Sequence, residues 1–431
     1  MSQFFRCASL SAAAVVLLAG ACLLKPVLAA ELPTAEPAEA GLSRERLRIL
    51  DDAVEKLVER QKIAGAVVAV LRHGRVVHFK AYGQRDREQS LPMKTDTIFR
   101  IYSMTKPITT VAAMMLVEEG KIALDDPVAK YIPEFKDLKV YDGADGVAAK
   151  FVAPRREMTV RDLMRHTSGL SYGFLDKTPV DLMYLAQSVL DRNTDLKKMT
   201  RKLAVIPLKH QPGEKFEYSV SIDVLGRVVE EASKQSLDEF FSKRIFEPLD
   251  MHDTGFFVPQ EKLDRFVTNY THDDEGRLVI REAVDDSPYR EKPGLLSGGG
   301  GLVSTARDYT RFCQMVLSGG KLGEVRLLKP ETVAEMTRNQ LPKSAIPIGV
   351  GPTNTRPGVG FGLGFSVRME LNKNEPASVV NEYGWGGAAS THFWISPDDD
   401  LLVVALQQQM PFTPLLEQTV KPLVRTALEA E

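Results

Sequence analysis

Ser103 and Lys106 are the residues most readily made into a nucleophile and its base. In Ser103-Met104-Thr105-Lys106 they stand three positions apart, so on a helix both side chains share one face. The following stretch, Pro107–Glu119, predicts a helix with Pro107 in its first turn, where a missing N–H costs little. Ser103 then sits at a helix N-terminus, where backbone N–H groups can hold an oxyanion. The positive end of that helix also favours a neutral Lys106, able to take the Ser103 proton. The spacing alone is weak, since a plain helix cap would equally explain Ser103. Ser318-Gly319-Gly320-Lys321 repeats it in a flexible Gly-Gly turn that cannot hold a geometry and reads as loop.

Two further groups could complete a site. Tyr218, in Tyr218-Ser219-Val220 after Gln211-Pro212-Gly213, falls where an extended stretch meets a helix. A phenol there can shuttle a proton if a cation lies near, although a half-buried packing role is the plainer reading. Gly384-Trp385-Gly386-Gly387-Ala388 places glycines in a predicted strand, where a ligand or another backbone can approach closely. The N–H of Ala388 could be a second oxyanion donor, and a bulge beside a buried Trp385 is the alternative. Gly169-Leu170-Ser171-Tyr172-Gly173 fits G-x-S-x-G, but a helix precedes it and a loop follows, the reverse of what a nucleophile elbow needs. The seven histidines are scattered with no H-E-x-x-H, so no metal ligand set is expected. His166 and His392 read as structural. Gly298–Gly301 lacks a following Lys-Ser/Thr for phosphate binding, and Cys313 reads as core. No cofactor is expected.

The elements that must position these residues follow from periodicity. Ser43 caps a predicted helix over Arg44–Gln61, with Leu47, Leu50, Val54 and Leu57 at helical spacing. Ala66–Leu71 and Val76–Tyr82 flank His73-Gly74 as a hairpin. Phe361–Val367, Ser390–Ile395 and Leu401–Gln407 read as strands, and Glu417–Leu428 as a closing helix. The middle predicts helices over Met158–Arg165, Val180–Leu190, Ile222–Lys234 and Leu237–Ile245. The expected fold is α/β (α+β): one antiparallel sheet built from both chain ends, flanked by helices, with an inserted helical lobe. The sheet part is expected at about 43–100 and 300–431, the helical part at about 101–299.

Composition narrows the function classes. The 431 residues carry 44% apolar and 26% charged residues and a formal net charge of −2, within the range of folded globular chains. No positive field favours nucleic acid. Of three cysteines, only Cys313 lies beyond the first 25 residues, which leaves no disulfide framework in the globular part. Arg6, the apolar run Ala8–Leu24 and the small residues of Val27-Leu28-Ala29-Ala30 read as an export signal over residues 1–30, cleaved near Ala30. The mature chain, 31–431, is then expected to be periplasmic or secreted without a membrane span. A retained anchor and a lipid-modified Cys22 are the alternatives. Glu31–Ala40 reads as a poorly ordered leader.

The order and spacing of these motifs are more specific than the parts. Ile101-Tyr102-Ser103-Met104-Thr105-Lys106-Pro107, Gly120–Val128, Met158–Leu170, Gln211-Pro212-Gly213 before Tyr218, and Gly299–Asp308 together resemble the serine β-lactamase-like superfamily over about residues 43–420. Within it the chain resembles the family VIII carboxylesterases, which look like class C β-lactamases. The resemblance implies Ser103 as nucleophile, Lys106 and Tyr218 as acid/base partners, and the N–H groups of Ser103 and Ala388 as the oxyanion hole. It implies Tyr102, Trp385, Gly386 and Gly387 as substrate-lining residues. β-Lactamases carry Lys-Thr-Gly where this chain has Trp385-Gly386-Gly387, and Asn where it has Val220. Losing those contacts to a carboxylate and an amide, worth about 1.5–3 kcal/mol each, favours small neutral acyl esters as substrates. A β-lactamase or D-amino-acid peptidase, and a non-catalytic sensor, are the alternative readings; oligomeric state is not readable.

Overall fold

The computed structural model describes residues 29–145, 148–371 and 377–428. The expected signal segment up to residue 28 lies outside the described residues. Its last positions do not: the Ala29 N–H donates to Pro248 O at 2.9 Å, and Glu31 meets Arg307 at 2.6 Å and Arg311 at 3.2 Å. The segment that follows is ordered, contrary to expectation. The Ala35 N–H donates to Val76 O at 3.0 Å and the Val76 N–H to Pro33 O at 2.8 Å, and Arg72 donates to the carbonyls of Ala40 and Gly41. Its Pro- and Ala-rich composition hid a partner supplied by a distant strand.

Eight strands form one antiparallel sheet: β1 (Gly65–Arg72), β2 (Arg75–Asp86), β3 (Leu91–Pro92), β4 (Val359–Phe361), β5 (Ser366–Arg368), β6 (Tyr383–Gly387), β7 (Thr391–Ser396) and β8 (Leu401–Gln407). Their order is β4-β5-β6-β7-β8-β1-β2-β3, so the first strand of the chain pairs with the last, Val68 opposite Ala405 and Val70 opposite Val403. Between β1 and β2, His73 and Gly74 both take positive φ, 53° and 69°, as a two-residue hairpin with matching twist requires.

Period-two alternation sorts the strands into two cores. Val68, Val70, Val403 and Trp394 face the terminal helices, α1 (Arg44–Glu59) with Leu47, Leu50 and Val54, and the last helix, Leu415–Ala427, with Leu416, Val420 and Val424. Val67, Ala69, Val404 and Phe393 face inward onto α2 (Thr105–Glu118) and the helix Ala306–Leu317. Every residue of α2 from Thr105 to Leu116 is buried, the pattern of a helix enclosed on all sides.

Phe361–Val367 is not one strand. It is the hairpin β4–β5, with Phe361 opposite Ser366. Gly364 sits at φ 89° and the Gly362 N–H donates to Phe365 O at 2.8 Å, so the intervening glycines turn the chain back. The middle holds helices Val160–Met164, Pro179–Ala186, Ser221–Ser233 and Leu237–Phe241 near the expected places, and a further one, Leu196–Leu203, that apolar spacing did not reveal. It also holds two hairpins, Val140–Asp145 with Ala148–Val152 and Asn269–His272 with Leu278–Glu282. No helix of the described residues is long and apolar enough to cross a membrane.

Candidate active site

Ser103 lies in a single 3-10 turn, Tyr102–Met104, that feeds α2. Tyr102 holds this turn with φ at 41°, a left-handed backbone that a non-glycine residue adopts only under constraint from its surroundings. The constraint comes from three sides. The Ile101 N–H donates to Leu302 O at 3.0 Å, the Leu302 N–H to Thr105 Oγ1 at 3.1 Å, and the Tyr309 hydroxyl to Met104 O at 2.8 Å. On the sheet side, a Cβ added to Gly387 would stand 2.3 Å from Ile101 O. Only glycine lets β6 come this close, and the close approach holds Ala388, one residue on, in the corner that carries Ser103.

Lys106 projects from the first turn of α2 and is fully buried. Its Nζ donates to Ser103 Oγ at 3.0 Å, to Tyr172 Oη at 3.0 Å and to Gly299 O at 2.6 Å. Three acceptors match the three N–H bonds of an ammonium. The Tyr218 ring centre lies 4.6 Å from the same nitrogen, a cation–π distance. The expected pair of Ser103 and Lys106 is therefore within hydrogen-bond reach, and Tyr218 meets Lys106 through its ring. The Tyr218 hydroxyl accepts from Trp385 Nε1 at 3.1 Å. An indole N–H only donates, so the Tyr218 oxygen is the acceptor in this bond.

Tyr172 is the member that sequence reasoning passed over. It stands inside the Gly-Leu-Ser-Tyr-Gly segment considered only for Ser171. Ser171 itself is buried and its hydroxyl donates to Asp181, away from Lys106. Tyr172 reaches the site because its segment is tied to the Tyr218 segment: Glu217 N–H to His166 O at 2.8 Å, and Val220 N–H to Ser171 O at 3.3 Å. Burial, and then the proximity of Tyr218 and Asp223, hold the Tyr172 phenol well above its ordinary pKa, so it stays protonated. Ser318 closes the helix Ala306–Leu317 and accepts from Gln314 Nε2 at 2.8 Å, while Lys321 opens a separate short strand; this second Ser/Lys spacing makes no pair.

Asp223 and Gly299 form a layer behind Lys106. Asp223 is fully buried, and its Oδ1 accepts from the Ser297 hydroxyl and from the Gly299 N–H at 3.1 Å. Burial raises its pKa against the opposing pull of Lys106. A Cβ at Gly299 would lie 2.3 Å from Asp223 Oδ2, so any larger residue would displace that carboxylate. The glycine run that lacks a phosphate-binding sequence thus serves to bring a backbone carbonyl onto Lys106.

The walls are aromatic. Trp385 packs on Tyr218 and Phe361, with centroids 5.4 and 5.2 Å apart. His166 packs on Tyr218 at 4.8 Å, and burial and then the Lys106 charge push its pKa well below the usual value, leaving a neutral packing residue. His392 lies on the far side of the sheet, where its Nε2 stands 3.0 Å from Glu417. Val220 is fully buried and Cys313 lies in the core. Tyr102 meets Tyr289 edge to face at 6.3 Å. A cavity of about 270 Å³ lined by Asp238, Phe246, Phe256 and Lys292 lies in the helical lobe and contains none of these groups. Among the described residues no group of His, Cys, Asp or Glu side chains converges as a metal site.

A nucleophilic hydroxyl, a buried amine on it, two phenols beside the amine and a glycine-rich strand against the turn constitute machinery for acyl transfer through a covalent intermediate. Comparison with known proteins agrees. Residues 50–420 match the family model described as Beta-lactamase. The chain is 33% identical over 380 residues to "Esterase EstB" of Burkholderia gladioli, covering 84% of this chain and 89% of that protein. It is 30% identical to "Lovastatin esterase" of Penicillium rubens, covering 84% and 93%. Among solved structures, "EstCE1, a hydrolase with promiscuous acyltransferase activity" superposes with a TM-score of 0.75 at 28% identity, covering 88% of this chain and 98% of that one.

Proposed function

Because the chain belongs to the Beta-lactamase family and is an acyl-transferring serine hydrolase, we propose that it is an exported carboxylesterase acting on short acyl esters through an acyl-enzyme on Ser103. The observation that carries this reading is the 3.0 Å contact between Lys106 Nζ and Ser103 Oγ. In its neutral form Lys106 takes the Ser103 proton as the oxygen attacks the ester carbonyl. The N–H groups of Ser103 and Ala388 receive the oxyanion. Tyr218, held by Trp385, gives its proton to the leaving alkoxide and then takes one from the water that attacks the acyl-enzyme, while Lys106 returns its proton to the departing Ser103 oxygen. Tyr172 and Gly299 hold Lys106 in place throughout.

Two features support ester over β-lactam or D-amino-acid amide cleavage. By the family resemblance, Trp385 stands where β-lactamases carry Lys, and Val220, fully buried, where they carry Asn. Acyl transfer to an alcohol in place of water uses the same acyl-enzyme, and the likeness to EstCE1, a hydrolase with promiscuous acyltransferase activity, supports it as a second activity.

Ser103→Ala should abolish hydrolysis of p-nitrophenyl butyrate and labelling by a fluorophosphonate, while Ser171→Ala and Ser318→Ala keep both. Full activity in Ser103→Ala would overturn the assignment. Export is tested by mass spectrometry of the protein recovered outside the cytoplasm: a chain starting at Ala30 or Glu31 is expected, and an intact Met1 terminus contradicts it.

A further inference from the structure

Trp385-Gly386-Gly387 carries no cation in sequence, yet a cation stands beside it in space. Arg356, on the short strand Thr355–Arg356, places its guanidinium carbon 5.7 Å from the centre of the Trp385 ring. Trp385 is the residue that hydrogen-bonds Tyr218, which in turn covers Lys106. Arg356 is therefore joined to Lys106 through two aromatic side chains, Trp385 and Tyr218, and it directly precedes the turn at Pro357-Gly358, where Gly358 has φ 68°. Nothing in its position along the chain, 29 residues before Trp385, announces this.

Its charge is unmatched. Among the described residues Arg356 makes no hydrogen bond and no ion pair. Two carboxylates lie near enough for their fields to reach it, Glu417 and Glu382, with Arg368 opposing. Both are held elsewhere: Glu417 by His392 at 3.0 Å, and Glu382 by Lys421 and Arg425. Burial pulls the Arg356 pKa down, against the fields of Glu417 and Glu382. Guanidinium is a planar fork matched to carboxylate, and its flat face stacks on an aromatic ring. A half-buried Arg stacked on Trp385 with its donors unused is in the state of a carboxylate receptor before binding.

We propose that Arg356 selects esters that carry a carboxylate, binding it against Trp385 while the ester carbonyl sits at Ser103. The proposal rests on the esterase reading above and names its substrate class. It differs from the expectation of small neutral substrates: a guanidinium from another strand gives an anionic ester a partner here.

The test is a specificity ratio. kcat/KM is measured for mono-p-nitrophenyl glutarate, with the carboxylate on the acyl side, and for 4-butyryloxybenzoate, with the carboxylate on the alcohol side. Each is divided by the value for its neutral counterpart, p-nitrophenyl butyrate or phenyl butyrate. In Arg356→Gln at least one ratio should fall about ten- to a hundredfold, as expected for loss of a charge-assisted bidentate contact. Arg356→Lys should give an intermediate ratio, and added KCl should lower the wild-type ratio but not that of Arg356→Gln. The arm that responds identifies which side of the ester bears the carboxylate. Ratios unchanged in Arg356→Gln, whatever the loss in absolute rate, would overturn the proposal and leave Arg356 a support for Trp385. If the wild type hydrolyses none of these esters, the esterase reading fails and binding still decides the rest. Glutarate titrated into Ser103→Ala should then change Trp385 emission saturably, the change being lost in Arg356→Gln and in Trp385→Phe. No saturable change would refute the carboxylate site.

Discussion

Replacing Tyr172 by Phe removes a single oxygen from the site. The ring contacts to Phe174 and Tyr218, with centroids 5.1 and 5.4 Å apart, are kept, so the segment should stay in place. What is lost is one of three acceptors on Lys106: Gly299 O at 2.6 Å and Ser103 Oγ at 3.0 Å remain, and Tyr172 Oη at 3.0 Å goes. Lys106 is fully buried, so the freed N–H finds little water. A hydrogen bond to a charged group contributes about 1.5–3 kcal/mol. If that is felt in full when the proton moves onto Lys106, kcat/KM for p-nitrophenyl butyrate falls roughly 10- to 150-fold. Tyr172 acts on the proton transfer from Ser103 and not on the ester itself, so the loss should appear in kcat more than in KM. The assay pairs steady-state kinetics with thermal unfolding, to show that the variant is folded. A double-mutant cycle with Lys106→Ala then asks whether Tyr172 acts through Lys106. In that background Tyr172→Phe should cost less than about threefold. Activity within about twofold of wild type, or the full loss repeated without Lys106, would refute the reasoning and give Tyr172 no part in holding the amine.

Gly299→Ala should be folded but impaired. Its Cβ would stand 2.3 Å from Asp223 Oδ2, an overlap with a buried carboxylate that should cost about 1–3 kcal/mol in a denaturant melt; because the same peptide carries the carbonyl on Lys106, ester hydrolysis should drop with it, and unchanged stability and activity would contradict the packing described. Asp253 reports on acid stability. Burial would raise its pKa, but Arg265, at 2.6 and 2.8 Å, and Lys262, at 2.8 Å, hold it at about 2. With a folded pKa below the unfolded value near 4, this contribution is complete above about pH 4 and is lost as pH falls toward 2. Urea melts at pH 7, 4 and 2.5 should show Asp253→Asn less stable than wild type at the first two and closer to it at the last, and a constant gap would rule out the ion cluster as its origin.

Local order in the chain determined much of this molecule. Capping residues, turn glycines and apolar spacing located α1, the β1–β2 hairpin, α2 and the last two strands, because each depends on neighbours within a few residues. The Ser103/Lys106 pair was legible for the same reason: one helical turn joins them, and no other part of the fold is needed to set their separation. The glycines of β6 were legible as a close approach, although not as an approach to Ile101. Other features depend on contacts between residues far apart in sequence, and local pattern carries no trace of them. Phe361–Val367 has the composition of a strand, and hydrogen bonds from Leu363 to Met336 O and from Gly364 to Met164 O hold the turn that splits it. Tyr172 and Tyr218 are both tyrosines next to serines; only the packing of their two segments puts the hydroxyl of one and the ring of the other on Lys106. Asp223 gains its place from Gly299, 76 residues later. Arg356 gains its place from Trp385. A sequence states which charges a chain owns, but a charge acts over a few ångströms, and the fold alone decides which groups come within that distance.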